Sequence, residues 1–181
     1  MKKDAPSAAP DSAAATRSPL PFPIHIPFVE ELGLELHAFG GGEAEIQVDL
    51  ATAHLNSFAV AHGGVVMTLL DVAMAHAARS VNVTPGTDPR EAAGTPGVVT
   101  IEMKTSFMRP GQGRLRAAAQ VLHRTATMAF CEGSVFDAQG QRCAHATATF
   151  KYMRQLPAGR QLKNLRGPAP DDADAAPSVT G

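Results

Sequence analysis

The chain has 181 residues, of which 44% are hydrophobic, a formal net charge of −1 and a pI near 6.6. This length can bury one sizeable core, and the near-neutral charge argues against nucleic acids and anionic membranes as partners. There is no run of about 18 apolar residues that could span a membrane and no apolar secretory signal after Met1, so we expect a soluble, cytoplasmic protein.

Two kinds of composition divide the chain into three parts. Residues 1–20 and 157–181 are rich in Ala, Pro, Ser and Asp, and such segments bury too little apolar surface to offset the loss of chain entropy on folding. We therefore predict disordered tails at 1–20 and 157–181, with a single domain at 21–156 between them.

The first elements of this domain are short. The segment PFVEELGLEL predicts a short helix that leads into a strand ending near Ala38. The next segment, GGGEAEIQVDL, predicts a turn and then a strand, because apolar residues alternate with polar ones from Ala44 to Leu50. Together these elements form a hairpin.

One long helix follows, and its sequence is HGGVVMTLLDVAMAHAARS. It is apolar around most of its circumference, so it should be buried on nearly every side. Residues 81–97 are dense in Pro and Gly and predict a loop. Four more strands are predicted after it: VVTIEMKTSFMRP, RLRAAAQVLHR, TMAFCEGSVFD and QRCAHATATFKYM. Short turns between strands favour a curled antiparallel sheet around the helix, which is an α+β architecture.

The segment LNSFAVAHGGVVMTLLDVAMAHAA, followed by VVTIEMKTSFMRP, resembles the hotdog-fold acyl-CoA thioesterases of the PaaI-like group. The pattern of that group is an Asn, then His-Gly-Gly, then an acid in the central helix. The resemblance extends over residues 28–153, except for the loop at 81–97. It implies a hotdog fold, an acyl-CoA substrate, thioester hydrolysis and subunits that work in pairs.

Thioester hydrolysis needs an attacking group and donors for the oxyanion that develops. Backbone N–H groups at a helix start supply such donors, and Gly63 and Gly64 stand at the start of the long helix. Asp71 lies in the middle of this apolar helix, where an unpaired carboxylate is costly. The residues alone leave a structural role and a functional one equally open for Asp71. The resemblance implies that Asp71 is the nucleophile or the general base.

Gly63 and Asp71 are too far apart to act on one carbonyl group within one subunit. They are eight positions apart, which is roughly 12 Å along a helix. If both act on one thioester, Asp71 must come from a second copy of the chain. We therefore expect an obligate homodimer with two composite sites, and the pairing of two dimers into a tetramer is left open.

Three more residues are candidates for the site. In the resembled group an Asn at the position of Asn56 helps to hold the thioester, although Asn is also common in turns. His62 either caps the helix or touches the substrate. The resemblance places a hydroxyl that orients the attacking water at Thr100, which is otherwise an ordinary strand residue.

Two other functions compete with hydrolysis. The first is an acyl-CoA-binding hotdog protein without catalysis. The second is an enoyl-CoA hydratase, because Asp71 and His76 repeat the acid and histidine of hotdog hydratases. Five positions on a helix turn these two side chains toward different faces, which disfavours the hydratase. No motif for a metal, a nucleotide cofactor or a DNA-binding element is present, so we expect no cofactor and no metal.

The acyl group and the residues that bind the CoA nucleotide are left open. Phe58, Met67 and Met74 either shape the acyl pocket or belong to the core. The cations that could meet the nucleotide are Arg79, Lys104, Arg109, Arg114, Arg116 and Arg124. Cys131 and Cys143 belong to no CxxC motif, so we expect buried free thiols.

Overall fold

The structure is a computed structural model that describes residues 18–153. The predicted tail at 157–181 and residues 1–17 of the predicted tail at 1–20 lie outside the described residues. Among the described residues, the first backbone pairing is that of Leu20, whose N–H donates to the carbonyl oxygen of Leu36 over 2.7 Å.

Within residues 18–153, two helices and six strands follow one another in the predicted order of a helix, two strands, a long helix and four strands. They are α1 (Pro27–Glu31), β1 (Glu35–Gly40), β2 (Glu43–Asp49), α2 (Gly63–Ser80), β3 (Gly97–Phe107), β4 (Arg114–Arg124), β5 (Met128–Phe136) and β6 (Arg142–Met153). Short 3-10 turns at Thr52–His54 and Pro89–Gly94 lie in the two longer connections.

All six strands form one antiparallel sheet in the order β1-β2-β4-β5-β6-β3. The sheet packs around α2, which confirms the α+β hotdog architecture. Although β3 precedes β4 in the chain, it crosses to the far edge and pairs with β6. One side of β3 therefore has no strand beside it among the described residues, and this edge runs along α2.

The burial of α2 differs between its two halves. From Val72 to Ser80 every residue except Ala75 is buried, and Leu69, Leu70 and Met74 belong to the core. The first half keeps an uncovered strip, on which Gly64 and Met67 are exposed and Asp71 is half-buried. The prediction that the helix is buried on nearly every side is therefore wrong for its first two turns, because the sheet ends at β3 beside them.

The loop at 81–97 is more structured than its Pro and Gly content predicted. Gly41 N–H donates to the carbonyl of Val83 over 2.8 Å, and a Cβ at Gly40 would lie 2.6 Å from the Cα of Pro85, so only glycine fits there. Val83 and Ala92 are buried. The first part of the loop thus packs on the β1–β2 turn, beyond the end of α2 that is remote from Gly63. Within residues 18–153 no helix is long and apolar enough to cross a membrane.

Candidate active site

His62 caps the start of α2. Its Nδ1 accepts the N–H of Gly64 over 3.0 Å, and its own N–H donates to the carbonyl of His54 over 2.8 Å. A Cβ at Gly64 would lie only 3.1 Å from this Nδ1, so glycine leaves room for the cap. The helix start is therefore held by the imidazole, which is the capping role that the sequence left open for His62.

The two glycines differ in what their N–H groups do. The Gly64 N–H is occupied by His62, whereas the structure gives the Gly63 N–H no hydrogen-bond partner among residues 18–153. Beside Gly63 lies Phe107, whose ring would be 3.6 Å from a Cβ at that position. Of the two predicted oxyanion donors, only the Gly63 N–H is therefore free within residues 18–153, and it lies at the positive end of the helix dipole.

Asp71 is held by Thr100. The Thr100 hydroxyl donates a hydrogen bond of 2.7 Å to Asp71 Oδ1 and so joins β3 to the middle of α2. One carboxylate oxygen is therefore held by Thr100, whereas Oδ2 has no hydrogen bond of this kind within residues 18–153. The structure brings together two residues that are 29 positions apart, and it places the Thr100 hydroxyl beside the acid.

A β-bulge in β3 makes this contact possible. Thr100 lies opposite Phe150 on β6, and Phe107 lies opposite Ala144, both of which are buried residues on the helix-facing side. Strict alternation would put residues 100 and 107 on opposite faces of the sheet. The register shifts between Thr100 and Glu102, and this one extra residue turns both side chains toward α2.

One chain thus carries two half-sites at separate places along α2. Gly63 and Phe107 form one, at the helix start, and Asp71 and Thr100 form the other, roughly 12 Å further along the helix axis. As their spacing predicted, Gly63 and Asp71 do not lie together within one subunit.

Asn56 holds a tight turn before α2. Its Oδ1 accepts the N–H groups of Phe58 and Val60, over 2.9 and 3.4 Å. Ala59 in this turn has a φ of +56°, the one positive value outside glycine among residues 18–153. Phe58 at the tip is 84% exposed. The observed contacts of Asn56 are those of a turn-forming residue that positions the approach to the helix.

His76 is remote from this chemistry. It is 2% exposed, its Nδ1 donates to the Val72 carbonyl over 2.8 Å, and its ring packs edge-on against Phe22 and Phe39. Burial lowers the pKa of His76 to about 4, so the ring is neutral near pH 7. Because Asp71 contacts β3 whereas His76 packs against the β1 side, the two do not form the pair that a hydratase needs.

Three of the six candidate cations bond to other residues within residues 18–153. Arg114 bonds to Gln47, Asp49 and Glu35 on the outer face of the sheet, and Arg116 bonds to Glu45. Arg79 is buried at the end of α2, and Arg109 donates to the carbonyl of Arg142. Lys104 and Arg124 are exposed.

The two thiols are ordinary core groups. Cys131 and Cys143 are free and buried, and burial raises the pKa of the Cys131 thiol to about 12, so this thiol is not a nucleophile near pH 7. The described part of the chain contains no cluster of His, Cys, Asp or Glu that could hold a metal ion.

Two residues on the helix-facing side of β3, one of them beside Gly63, were missed from sequence. Phe107 covers the start of α2, and Thr105 has a buried hydroxyl with no hydrogen-bond partner within residues 18–153. Both face α2, as their partners Ala144 and Ala146 do. If it had been known that β3 lies beside α2, the alternation of side chains from Met103 onward would have predicted that both residues face the helix.

A model of the thioesterase superfamily matches residues 58–144, a range that includes α2, Asp71 and Thr100. Over this range, which is 87 of the 181 residues, the chain is similar to the thioesterase superfamily. The match supports thioester hydrolysis in general, and the curled sheet around one long helix is the hotdog fold of that superfamily.

Solved structures agree with this assignment. A conserved protein from Pseudomonas aeruginosa is 28% identical with a TM-score of 0.62, over 72% of this chain and 97% of its own. A mutant of the phenylacetic acid degradation protein PaaI from Thermus thermophilus is 25% identical with a TM-score of 0.58, over 71% and 100%. A thioesterase from Haemophilus influenzae shares the fold at 19% identity and a TM-score of 0.62, over 74% and 87%. A search of curated proteins gave no match.

Proposed function

We propose that this protein hydrolyses an acyl-CoA to the free acid and CoA, with Asp71 as nucleophile or general base and Gly63 as the oxyanion donor. The observation that carries the proposal is the fixed carboxylate. Thr100 binds Asp71 Oδ1 and leaves Oδ2 to attack the carbonyl carbon or to take a proton from water.

The reaction needs one further interaction, at the carbonyl oxygen. As the nucleophile adds to the thioester carbon, negative charge develops on that oxygen, and the unpaired Gly63 N–H at the helix start is suited to donate to it. The C–S bond then breaks, CoA leaves as a thiolate and takes up a proton, and the acid is released. If Asp71 itself attacks, water cleaves the resulting anhydride in a second step.

The site is complete only in a homodimer, since Gly63 and Asp71 are roughly 12 Å apart along one helix. The unpaired edge of β3 supports a second copy as the partner. Large apolar side chains are exposed along it at Val99, Ile101, Phe107 and Met108. An edge strand of this length and character is prone to pair with another strand, and pairing with its own copy would cover it.

The choice of an acyl-CoA is supported by the chain's likeness to PaaI. The T. thermophilus protein with this fold is named for phenylacetic acid degradation, so arylacetyl-CoA thioesters are the first to test, beside aliphatic ones. A reducing, cytoplasmic location is consistent with the buried free thiols of Cys131 and Cys143.

The test is release of free thiol from a panel of aromatic and aliphatic acyl-CoA thioesters by the wild-type protein and by Asp71→Asn. We expect turnover by the wild type and at least about 10²-fold lower kcat in the variant, with acyl-CoA affinity little changed. Binding without thiol release by the wild type would instead indicate a non-catalytic acyl-CoA-binding protein. Equal rates for the two proteins would remove Asp71 from its role.

A further inference from the structure

Met67 lies midway between the two half-sites of the chain. Gly63, Met67 and Asp71 follow one another at four-residue intervals, so they lie on one side of α2. Met67 is 40% exposed and is the large apolar residue that α2 leaves uncovered within residues 18–153. The uncovered strip therefore has one bulky side chain, between an oxyanion donor and a carboxylate.

A two-fold axis that completes both sites must pass beside α2 at the level of Met67. The axis exchanges two copies of the chain, so it places each Asp71 beside the other copy's Gly63 only if it lies halfway between those two positions. Halfway along the eight-residue interval is position 67, roughly 6 Å from either end.

The contacts of the edge strand β3 show where the same axis would meet this strand. Phe107 lies beside Gly63, and Thr100 is bonded to Asp71. Bringing Asp71 of one copy to Gly63 of the other therefore brings Thr100 to the level of Phe107. When an antiparallel strand pairs with its own copy, the two residue numbers of every pair have the same sum. Thr100 opposite Phe107 therefore puts the centre of the pairing close to Met103. One operation thus completes the sites and pairs the edges.

We propose that Met67 meets the Met67 of a second copy across this axis, and that the pair forms the wall between the two acyl pockets. This inference rests on the proposed function, because the position of the axis follows from a site that Gly63 of one copy shares with Asp71 of the other. Each Met67 lies roughly 6 Å along the helix from both thioester carbonyls. Its unbranched, adaptable side chain then limits how long or bulky an acyl group can be.

The geometry is tested by cross-linking the full chain. Met67→Cys, treated with a mild oxidant or a short bismaleimide, should form a covalent dimer in high yield, because equivalent residues on a two-fold axis face each other. Leu122→Cys is the matched control, since Leu122 is exposed on β4 and should stay monomeric in a denaturing gel. A yield at position 67 no higher than the control overturns the proposal. The buried native thiols, Cys131 and Cys143, do not compete.

The role in specificity is tested with acyl-CoA thioesters of increasing length. Met67→Ala should raise kcat/KM for the longest acyl groups relative to the shortest by about tenfold, whereas Met67→Leu, of similar volume, should keep the wild-type ratio. An unchanged ratio in Met67→Ala overturns the wall. The two failures are distinguishable: cross-linking without hydrolysis of any acyl-CoA refutes the proposed function, and hydrolysis without cross-linking refutes the Met67 contact.

Discussion

The hydroxyl of Thr100 donates to Asp71 Oδ1 over 2.7 Å, and this bond joins the free edge of the sheet to the middle of the central helix. It also leaves Asp71 with one oxygen fixed and one available.

Thr100→Val should lower kcat about tenfold, because a carboxylate without its donor loses its orientation. Thr100→Ser keeps the hydroxyl and should keep most of the activity. Since Thr100 is exposed, both variants should melt within a few degrees of the wild type. Steady-state kinetics and a thermal melt measure these effects, and a valine variant as active as the serine variant would contradict the assigned role.

Gly63→Ala and Gly64→Ala should fail in different ways. A methyl group at Gly63 meets the Phe107 ring at an ordinary 3.6 Å, so stability should hold, while the methyl obstructs the approaching carbonyl and lowers kcat/KM at least about tenfold. At Gly64 the methyl would lie 3.1 Å from His62 Nδ1. Loss of that cap should cost about 1 kcal/mol. Urea unfolding and kinetics separate the two effects; equal stability loss in both variants would refute the distinction.

Two inactive variants should restore activity when their subunits are mixed. In a heterodimer of Gly63→Val and Asp71→Asn chains, one site has an intact Gly63 from one chain and an intact Asp71 from the other. Random exchange makes half of the dimers mixed, each with one of two sites intact, so about a quarter of wild-type activity should return. The chains are unfolded together, refolded and assayed, with each variant refolded alone as control. No recovery would place both residues in one subunit.

His76 should make the fold sensitive to acid. Its pKa falls from the ordinary 6.5 to about 4 on burial, so between these values the unfolded chain binds more protons than the folded one. Titration of His76 therefore does not change the free energy of unfolding above about pH 6.5. Below that pH it lowers the free energy of unfolding, by roughly 3 kcal/mol near pH 4.

His76→Leu removes that titration and keeps an apolar side chain between Phe22 and Phe39. Urea unfolding at pH 7 and pH 4.5 should show a larger loss of stability in the wild type than in the variant. The same loss in both proteins would show that other groups set the acid sensitivity.

Local patterns accounted for most of the fold. The alternation of Ala44, Ile46 and Val48 identified β2, and all three are buried. The apolar run from Gly63 to Ser80 identified α2, and the spacing of Gly63 and Asp71 already separated the two half-sites. These features depend on residues near one another in the chain, where helix and strand periodicity determine which side chains share a face.

The sequence by itself determined the elements, their order, the carboxylate within the helix and the distance along α2 between Asp71 and Gly63. Only the tertiary structure decided that β3 lies at the sheet edge beside α2, that a bulge turns Thr100 toward Asp71, and that His62 occupies the Gly64 N–H. Strand order and bulges follow from packing between distant segments. No local pattern encodes that packing, because it depends on which long-range pairing buries the most apolar surface.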